Sequence, residues 1–120
     1  MSISPVEILR HILDEADFLL QQSQGLDKEK FLQDETLKRA FARSIEVIGE
    51  ASKQLSTEIR DRYPQIEWRA VAGMRNRLIH SYFSIDYEIV WDVVDNKIPN
   101  LRQVVERMIE EETRHEGACG

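Results

Sequence analysis

The stretch "SPVEILRHILDEADFLL", residues 4–20, combines a helix start signal with the repeating apolar pattern of an amphipathic helix. Ser4 can act as N-cap, Pro5 occupies the first helical position, and Glu7 completes a capping box. At 3.6 residues per turn, eight apolar side chains fall within an arc about 160° wide. They are Val6, Ile8, Leu9, Ile12, Leu13, Ala16, Leu19 and Leu20. The stretch therefore predicts a helix with one buried face, and His11 lies on its solvated side.

A second, longer helical pattern extends from about Asp34 to about Arg62. Its apolar arc is about 120° wide, which again indicates one buried face. The arc contains Leu37, Phe41, Ser44, Ile45, Ile48, Ala51, Ser52, Leu55 and Ile59. Gly49 lies in the middle of this helix, where glycine costs about 1 kcal/mol relative to alanine. We therefore expect a compensating close contact between Gly49 and another backbone segment.

The remaining start and stop signals divide the chain into further helices. Gly25 ends the first helix, and Asp27 can cap a short turn after it. Pro64 ends the long helix, so that a new helix begins near Glu67 or Trp68. Ser84 or Asp86 can cap the next helix, and the last one covers roughly 99–112. The sequence predicts an all-α fold, a small antiparallel bundle of about five helices in one domain, 1–113, followed by a flexible tail, 114–120.

The segment "DYEIVWDVVDN", residues 86–96, has an unusually wide apolar face. Its apolar side chains span about 200°, too wide for a helix that has one side in water. They are Tyr87, Ile89, Val90, Trp91, Val93 and Val94. We expect this helix to be covered on two sides, by the core of the chain and by a second copy in a homodimer.

Composition sets limits on location and cofactors. The 120 residues contain no run of roughly 20 apolar side chains, so we expect a cytoplasmic protein without membrane contact. The single cysteine, Cys119, can form neither an internal disulfide nor a cysteine zinc site. His115 beside it lacks the further ligands that a metal needs. No cofactor is predicted.

Charge is distributed unevenly although the net charge is −6. Residues 1–35 hold 3 basic and 8 acidic side chains, residues 36–84 hold 9 and 5, and residues 85–120 hold 4 and 9. A basic centre between acidic ends allows local binding of a polyanion by an otherwise acidic protein. Ordinary variation among solvated helix faces would produce the same distribution.

The basic centre contains "RNRLIHSYF", residues 75–83, which we call the motif segment. Continued as a helix from Trp68, it places Arg75 near the centre of an apolar face. Asn76 and His80, four residues apart, lie at the edge of that face. Such an arginine must pair with a carboxylate, emerge at a subunit junction or face a wet anion-binding pocket, because an unpaired buried charge costs several kcal/mol.

Two interpretations of these residues remain open from their chemistry alone. Arginine can hold a phosphoryl group in a bidentate manner, and histidine exchanges a proton near neutral pH, so that Arg75, Asn76 and His80 suit phosphate chemistry. RNA supplies its own nucleophile in the 2′-hydroxyl, and no metal is then required. Alternatively, Arg75 forms a salt bridge with Glu50, and His80 and Tyr82 are satisfied polar groups in the core.

A family resemblance favours the first interpretation. "MRNRLIHSYF", with "IGEAS" before it and "DYEIVWDVV" after it, resembles the HEPN superfamily and, within it, the HepT-like toxins of toxin–antitoxin pairs. The family motif of arginine, four residues, histidine, one residue and tyrosine matches Arg75, His80 and Tyr82 without a gap. The resemblance covers nearly the whole chain. Ser81 departs from the glycine that is frequent at this position.

The resemblance implies a HEPN-like helical homodimer in which two motif helices face each other across a cleft. It implies a metal-independent endoribonuclease that cleaves RNA, tRNA or mRNA, with Arg75 as phosphate clamp, His80 as acid and base, and Asn76 as orienting group. Tyr82 matches the tyrosine that a nucleotidyltransferase antitoxin modifies with AMP in a type VII-like toxin–antitoxin system. Two other functions are consistent with the sequence: a non-catalytic module that binds a nucleotide or the nucleotidyltransferase, and a helical dimer that acts as a scaffold.

Overall fold

A computed structural model describes residues 3–81 and 84–119, without the side chains at 80, 81 and 116–119. Across the described residues the fold is all-α, as predicted, with one short hairpin. The helices are α1 (Pro5–Ser23), α2 (Lys28–Gln33), α3 (Glu35–Lys53), α4 (Thr57–Asp61), α5 (Trp68–Ala72), α6 (Met74–Leu78), α7 (Tyr87–Asn96) and α8 (Ile98–Cys119). The strands β1 (Ile79–Ser81) and β2 (Ser84–Ile85) lie between α6 and α7.

Side-chain N-caps mark the starts of the first three helices, and two of them, Ser4 and Asp27, were predicted from the sequence. The backbone N–H of Glu7 donates to the Ser4 hydroxyl at 3.2 Å, which confirms the start of α1. Asp27 caps α2 through the N–H of Lys30 at 2.8 Å, and Asp34 caps α3 through the N–H of Leu37 at 2.9 Å. Each cap satisfies one of the backbone donors that a helix leaves free at its first turn.

The core is one apolar cluster formed mainly by α1, α3 and α8, with α7 packed across them. Buried side chains follow the predicted stripes of α1 and α3, and His11 is exposed as predicted. On the stripe of α8, Leu101, Val104, Val105 and Met108 are buried. At about 1.5–3 kcal/mol for each fully buried large apolar side chain, this cluster is the main stabilising contribution to the fold.

The predicted long helix is wrong in its second half. α3 ends at Lys53, and α4 begins at Thr57 with its own N-cap, because the Ser56 hydroxyl accepts from the N–H of Ile59 at 3.2 Å. A serine at this position offers the backbone a cap in competition with the continuing helix. Leu55 and Ile59 are nevertheless buried, so the break redirects the chain without exposing its apolar side chains.

The wide apolar face of α7 is covered from within the chain. Val90, Val93 and Val94 are buried. On the α2 side, the Trp91 ring lies 5.3 Å from the Phe31 ring. The expectation of cover on two sides is thus met by α2 and the main core, and this face alone does not require a second copy.

Two side-chain hydrogen bonds join the second half of α8 to the segment after α4. Arg62 donates to Glu112 at 2.8 Å, and the Tyr63 hydroxyl donates to Glu111 at 2.6 Å. Burial, and then the bond to Glu111, raise the pKa of the Tyr63 phenol well above its ordinary value. α8 extends to Cys119, beyond the predicted end at residue 112. Whether residues 114–120 form a flexible tail stays a prediction.

Candidate functional site

The middle of α3 forms the support for the motif segment. A Cβ atom at Gly49 would lie 3.2 Å from the carbonyl oxygen of Val71 and 3.5 Å from that of Ala72, so any other residue would push the end of α5 away by a few tenths of an ångström. The predicted backbone contact at Gly49 is confirmed. Ser52 on the same face is buried, and its hydroxyl donates to the Gly49 carbonyl at 2.8 Å. The "IGEAS" segment therefore sets the position at which α5 ends.

α5 is held at its other end by Trp68. This side chain is buried, and its indole N–H donates to the Tyr63 carbonyl at 3.0 Å. A buried indole needs such a partner, because an unsatisfied donor costs about 1–3 kcal/mol. With both ends fixed, the short helix presents Gly73 and α6 in a defined orientation.

The helix predicted to contain the motif is interrupted at Gly73. This residue lies between the two helices as the C-cap of α5 and the N-cap of α6, and its N–H donates to the Arg69 carbonyl at 3.0 Å. The interruption changes which residues face the core: Met74 and Leu78 are buried, whereas Arg75, Asn76 and Arg77 are exposed. The prediction that Arg75 lies near the centre of an apolar face is therefore wrong.

The chain leaves the helix before it reaches the predicted histidine. β1 begins at Ile79 and pairs with β2 in antiparallel fashion, Ile79 opposite Ile85. His80 therefore lies in a strand, where the chain rises about 3.3 Å per residue and not the 1.5 Å of a helix. The prediction that Asn76 and His80 lie one helical turn apart is wrong. The His80 side chain and all of Tyr82 lie outside the described residues.

Arg75 is not paired with an acidic side chain in the part of the chain that the structure describes. Glu50, the partner considered from the sequence, bonds with Lys53 at 3.2 Å. The structure thus contradicts the salt bridge between Arg75 and Glu50. It agrees with the other interpretation in one respect, since the Arg75 guanidinium is open to solvent and available to an anion.

Several other exposed cations of the described residues share this property, and three of them lie close to the motif segment in the sequence or in the fold. Arg69, Arg77 and Lys97 are exposed, and within the described ranges none of them has an ion pair or a hydrogen bond through its side chain. Arg77 and Lys97 line the same groove, between α5 and α6 on one side and the α7–α8 junction on the other. Neither Arg77 nor Lys97 is among the site residues predicted from the sequence. Arg77 could have been noted as the second arginine of the motif segment, but nothing in the sequence brings Lys97 near it.

The hairpin that carries His80 is closed at its base by Asp86. The backbone N–H of Asp86 donates to the Leu78 carbonyl at 2.7 Å. Its carboxylate accepts from the N–H groups of Glu88 and Ile89, at 3.1 and 3.3 Å, and so caps α7. Of the two predicted caps, Asp86 is the one used. One residue therefore fixes both the hairpin and the helix that follows it.

No three histidine, cysteine, aspartate or glutamate side chains among the described residues are close enough together to hold a metal ion. None of the helices in the described ranges combines the length and the apolar character that a bilayer crossing requires.

The chain is similar to known proteins over most of its length. The family model described as "Ribonuclease HepT-like" matches residues 12–108, which include the entire motif segment. A protein of Caldanaerobacter subterraneus subsp. tengcongensis, provisionally named an RNase, is 41% identical over 109 residues, 91% of this chain and 97% of the relative. One from Methanocaldococcus jannaschii, also provisionally named an RNase, is 41% identical over 105 residues, 88% and 84% of the two chains.

The "Probable ribonuclease HepT" of Thermococcus cleftensis is 33% identical over 108 residues, 90% of this chain and 98% of the relative. No solved structure matches the chain. The family match covers most of the chain, and several relatives align over nearly their full length. The resemblance noted from the motif segment is thereby confirmed: this chain belongs to the HepT-like ribonuclease family.

Proposed function

We propose that the chain is an endoribonuclease that cleaves RNA, either tRNA or mRNA, at a site formed by Arg75, Asn76 and His80. The observation that carries this proposal is the exposed Arg75 guanidinium, which has no acidic partner in the described residues and lies five positions before His80. Relatives whose names describe RNases support the choice of RNA. A cation left free in this way can bind a phosphodiester without first breaking an internal ion pair.

The proposed reaction uses the nucleophile that RNA carries. His80 takes the proton of the 2′-hydroxyl, the 2′-oxygen attacks the adjacent phosphorus, and the bond from phosphorus to the 5′-oxygen breaks. The leaving 5′-oxygen takes a proton from the imidazolium, which returns His80 to its neutral form. The products are a 2′,3′-cyclic phosphate and a 5′-hydroxyl. No step requires a metal ion.

Arg75 has the electrostatic role in this scheme. Negative charge grows on the phosphoryl oxygens as the 2′-oxygen attacks, and a guanidinium that donates two parallel hydrogen bonds stabilises it. Asn76, next to Arg75 on α6, orients the phosphate or the imidazole through its amide. Arg75 and Asn76 are neighbours on the same short helix, and both side chains are exposed.

We also propose that the active form is a homodimer in which two motif segments line one cleft. Ile79 supports this idea, because it is 44% exposed beside the proposed site and would be covered by a second copy. Light scattering should return a dimer at micromolar concentration, and Ile79→Asp should shift it toward monomer. A monomeric wild-type chain that cleaves RNA would contradict the dimer and leave the ribonuclease proposal intact.

The cleavage proposal is tested with purified chain, tRNA and mRNA in excess EDTA. We expect cyclic phosphate ends from the wild-type chain and none from His80→Ala. His11→Ala is the matched control, since His11 is exposed on α1, and it should cleave at the wild-type rate. Equal cleavage by wild type and His80→Ala, or none by either, would overturn the proposal.

A regulatory part of the proposal concerns Tyr82. In the proposed toxin–antitoxin pair, a cognate nucleotidyltransferase attaches AMP to the Tyr82 hydroxyl. The added phosphate places negative charge and bulk near the proposed RNA site and repels the substrate. Co-expression with the transferase should raise the intact mass by whole AMP units and abolish cleavage. Tyr82→Phe should show no rise, and Tyr87→Phe is the control; a rise that persists in Tyr82→Phe would move the site elsewhere.

A second candidate is a non-catalytic module that binds a nucleotide or the nucleotidyltransferase. The observation in its favour is that Arg75 and Asn76 lie on a short surface helix that a partner could cover directly. Calorimetry with an ATP analogue and with the transferase separates the two functions. Tight binding of either one, together with no RNA cleavage at any protein concentration, would support the module.

A further inference from the structure

The groove between α5–α6 and the α7–α8 junction has an apolar floor. Its cavity volume is about 270 Å³. The floor consists of core side chains that are buried or half-buried: Ile66, Val71, Met74, Val93, Ile98 and Leu101. The volume is slightly below the roughly 300–1,000 Å³ of sites for drug-sized ligands, which suits a single flat ring system.

The rim of the groove is polar and carries two free cations. Arg77 and Lys97 lie on it, and neither has an acidic partner in the described part of the chain. The amides of Gln65 and Asn100 are also on the rim, and both side chains are exposed. Among the described residues that line the groove Glu67 is the only acidic one, so these residues together carry a net positive charge.

We infer that this groove binds one nucleotide of the RNA substrate, beside the nucleotide that is cleaved. The base lies on the apolar floor, the phosphate is bound by Arg77 and Lys97, and the amides of Gln65 and Asn100 are placed to recognise the edge of the base. Bases of single-stranded RNA are bound in this manner, by apolar contact with the ring and hydrogen bonds to its edges. The identity of the ligand rests on the proposed ribonuclease function.

The position of Arg77 on α6 connects the groove with the proposed cleavage site. Two residues of a helix differ by about 200° in direction, so Arg75 and Arg77 project from opposite sides of α6. A helix with its side chains is only about 10–12 Å across, and a short single strand that crosses α6 can contact both arginines. The groove and Arg75 would then hold neighbouring parts of one RNA strand.

Charge favours RNA over a protein segment as the occupant. An apolar anchor residue of a partner protein would fill the floor but leave Arg77 and Lys97 without counterions. A nucleotide supplies both an apolar ring and a phosphate, and each neutralised phosphate releases condensed counterions. The groove offers a partner for each of these two chemical features.

The test measures RNA binding separately from cleavage. In a His80→Ala background, fluorescence anisotropy gives the affinity for a labelled single-stranded RNA hexamer at several salt concentrations. Arg77→Ala with Lys97→Ala should weaken binding about tenfold and reduce the salt slope by about 1.4, at about 0.7 per single-strand phosphate contact. Arg10→Ala with Lys30→Ala is the matched control, because these two side chains are also exposed and unpaired in the described residues.

A second variant tests the floor. Ala70 is exposed on α5 and lines the groove, so Ala70→Phe should fill it while leaving the core side chains in place. We expect weaker RNA binding with an unchanged salt slope, because no charge is removed. The inference would be overturned if RNA affinity stayed within twofold of the parent in both groove variants and the Arg77→Ala, Lys97→Ala variant also kept the salt slope of the parent.

Two other outcomes separate this inference from the proposed function. If the wild-type chain does not cleave RNA but loses RNA affinity with Arg77→Ala and Lys97→Ala, the ribonuclease proposal fails, and the groove is an RNA-binding site without a cleavage site beside it. If the groove variants keep RNA affinity but no longer assemble with the nucleotidyltransferase, the groove is a protein interface and the inference is overturned.

Discussion

In α8, Arg102 donates to Asp17 of α1 at 2.6 Å and to Glu106 at 2.9 Å, whereas in α6 neither Arg75 nor Arg77 bonds to an acidic side chain of the described residues. The first arginine joins two long helices of the core. The other two lie on a five-residue helix that starts at a glycine. The chain thus contains arginines used for structure and arginines left available.

The difference in pairing separates structural arginines from arginines available to a ligand, which the sequence alone does not distinguish. Carboxylates near Arg102 raise its pKa and hold its side chain in one geometry. An exposed, unpaired arginine contributes almost nothing to folding stability, so its loss should be visible mainly in ligand binding. This contrast between paired and unpaired arginines can be tested by substitutions whose effects fall on activity, on stability or on both.

The largest expected effect is on activity, from Arg75→Ala. We expect kcat/KM for RNA cleavage to fall by about 10²-fold or more, as when one donor to a developing oxyanion is removed. The free energy of unfolding in urea should change by no more than about 0.5 kcal/mol, because the side chain is exposed. Arg75→Lys should recover only part of the activity, since lysine cannot form the bidentate bond. A fall of several kcal/mol in the unfolding free energy would mean that Arg75, like Arg102, has a structural role.

The next effect is on stability, from Gly49→Val. The new Cβ would approach the Val71 carbonyl at 3.2 Å, and the branched side chain would force α5 away from α3. Such overpacking costs about 1–3 kcal/mol, measured by urea unfolding. Cleavage should fall as well, because α5 positions α6. Arg39→Val, at an exposed position of the same helix, is the control and should cost about 0.5 kcal/mol of unfolding free energy. Equal losses of unfolding free energy in the two variants would show that the close contact at Gly49 is unimportant.

A smaller effect is expected from Tyr63→Phe, and it depends on pH. The variant loses the hydrogen bond to Glu111, about 1 kcal/mol near neutral pH. The folded chain raises the pKa of this phenol, whereas in the unfolded chain it titrates near 10. The contribution of the phenol is therefore complete below about pH 10 and is lost as the pH rises above it. Between about pH 8 and pH 11 the wild type should lose more unfolding free energy than Tyr63→Phe; equal losses would contradict the raised pKa.

The smallest effect is expected from Arg102→Ala. Both Arg102 and Asp17 are about one-third exposed, so the pair is screened and its loss should cost at most about 1 kcal/mol. The loss should shrink further at 1 M salt, where the Debye length is about 3 Å. RNA cleavage should stay at the wild-type rate. If cleavage fell tenfold while the unfolding free energy stayed unchanged, Arg102 on α8 would act like the unpaired arginines of α6, and the distinction between structural and available arginines would be lost.

The long helices could be predicted because their signals are local. The capping residues Ser4, Asp27 and Asp86 and the apolar stripes of α1, α3 and α8 have the spacings that the folded chain uses. Gly49 was identified by its cost in a helix interior, and its contact partner is visible only in the structure. The break at residues 54–56 was missed, since Leu55 and Ile59 continue the apolar stripe across it.

The site was predictable in its residue types but not in its geometry. A helix that continues through Gly73 would place Arg75 on the face toward the core. Because the helix is interrupted at Gly73, Met74 and Leu78 are the buried residues instead. The hairpin that follows depends on pairing between Ile79 and Ile85, and the five residues between them contain no strong turn signal. The groove between Arg77 and Lys97 depends on how α7 and α8 pack, which a helical pattern does not specify.

The closure of the hairpin by Asp86 has a consequence for changes in chain length. Because the bond from Asp86 to the Leu78 carbonyl joins the two ends of the hairpin, residues inserted between these two positions would leave that bond in place. α6 and α7 would keep their places, and doubling the loop would cost only about 0.6 kcal/mol in closure entropy. The segment that carries His80 can therefore change in length without a rearrangement of the two helices beside it.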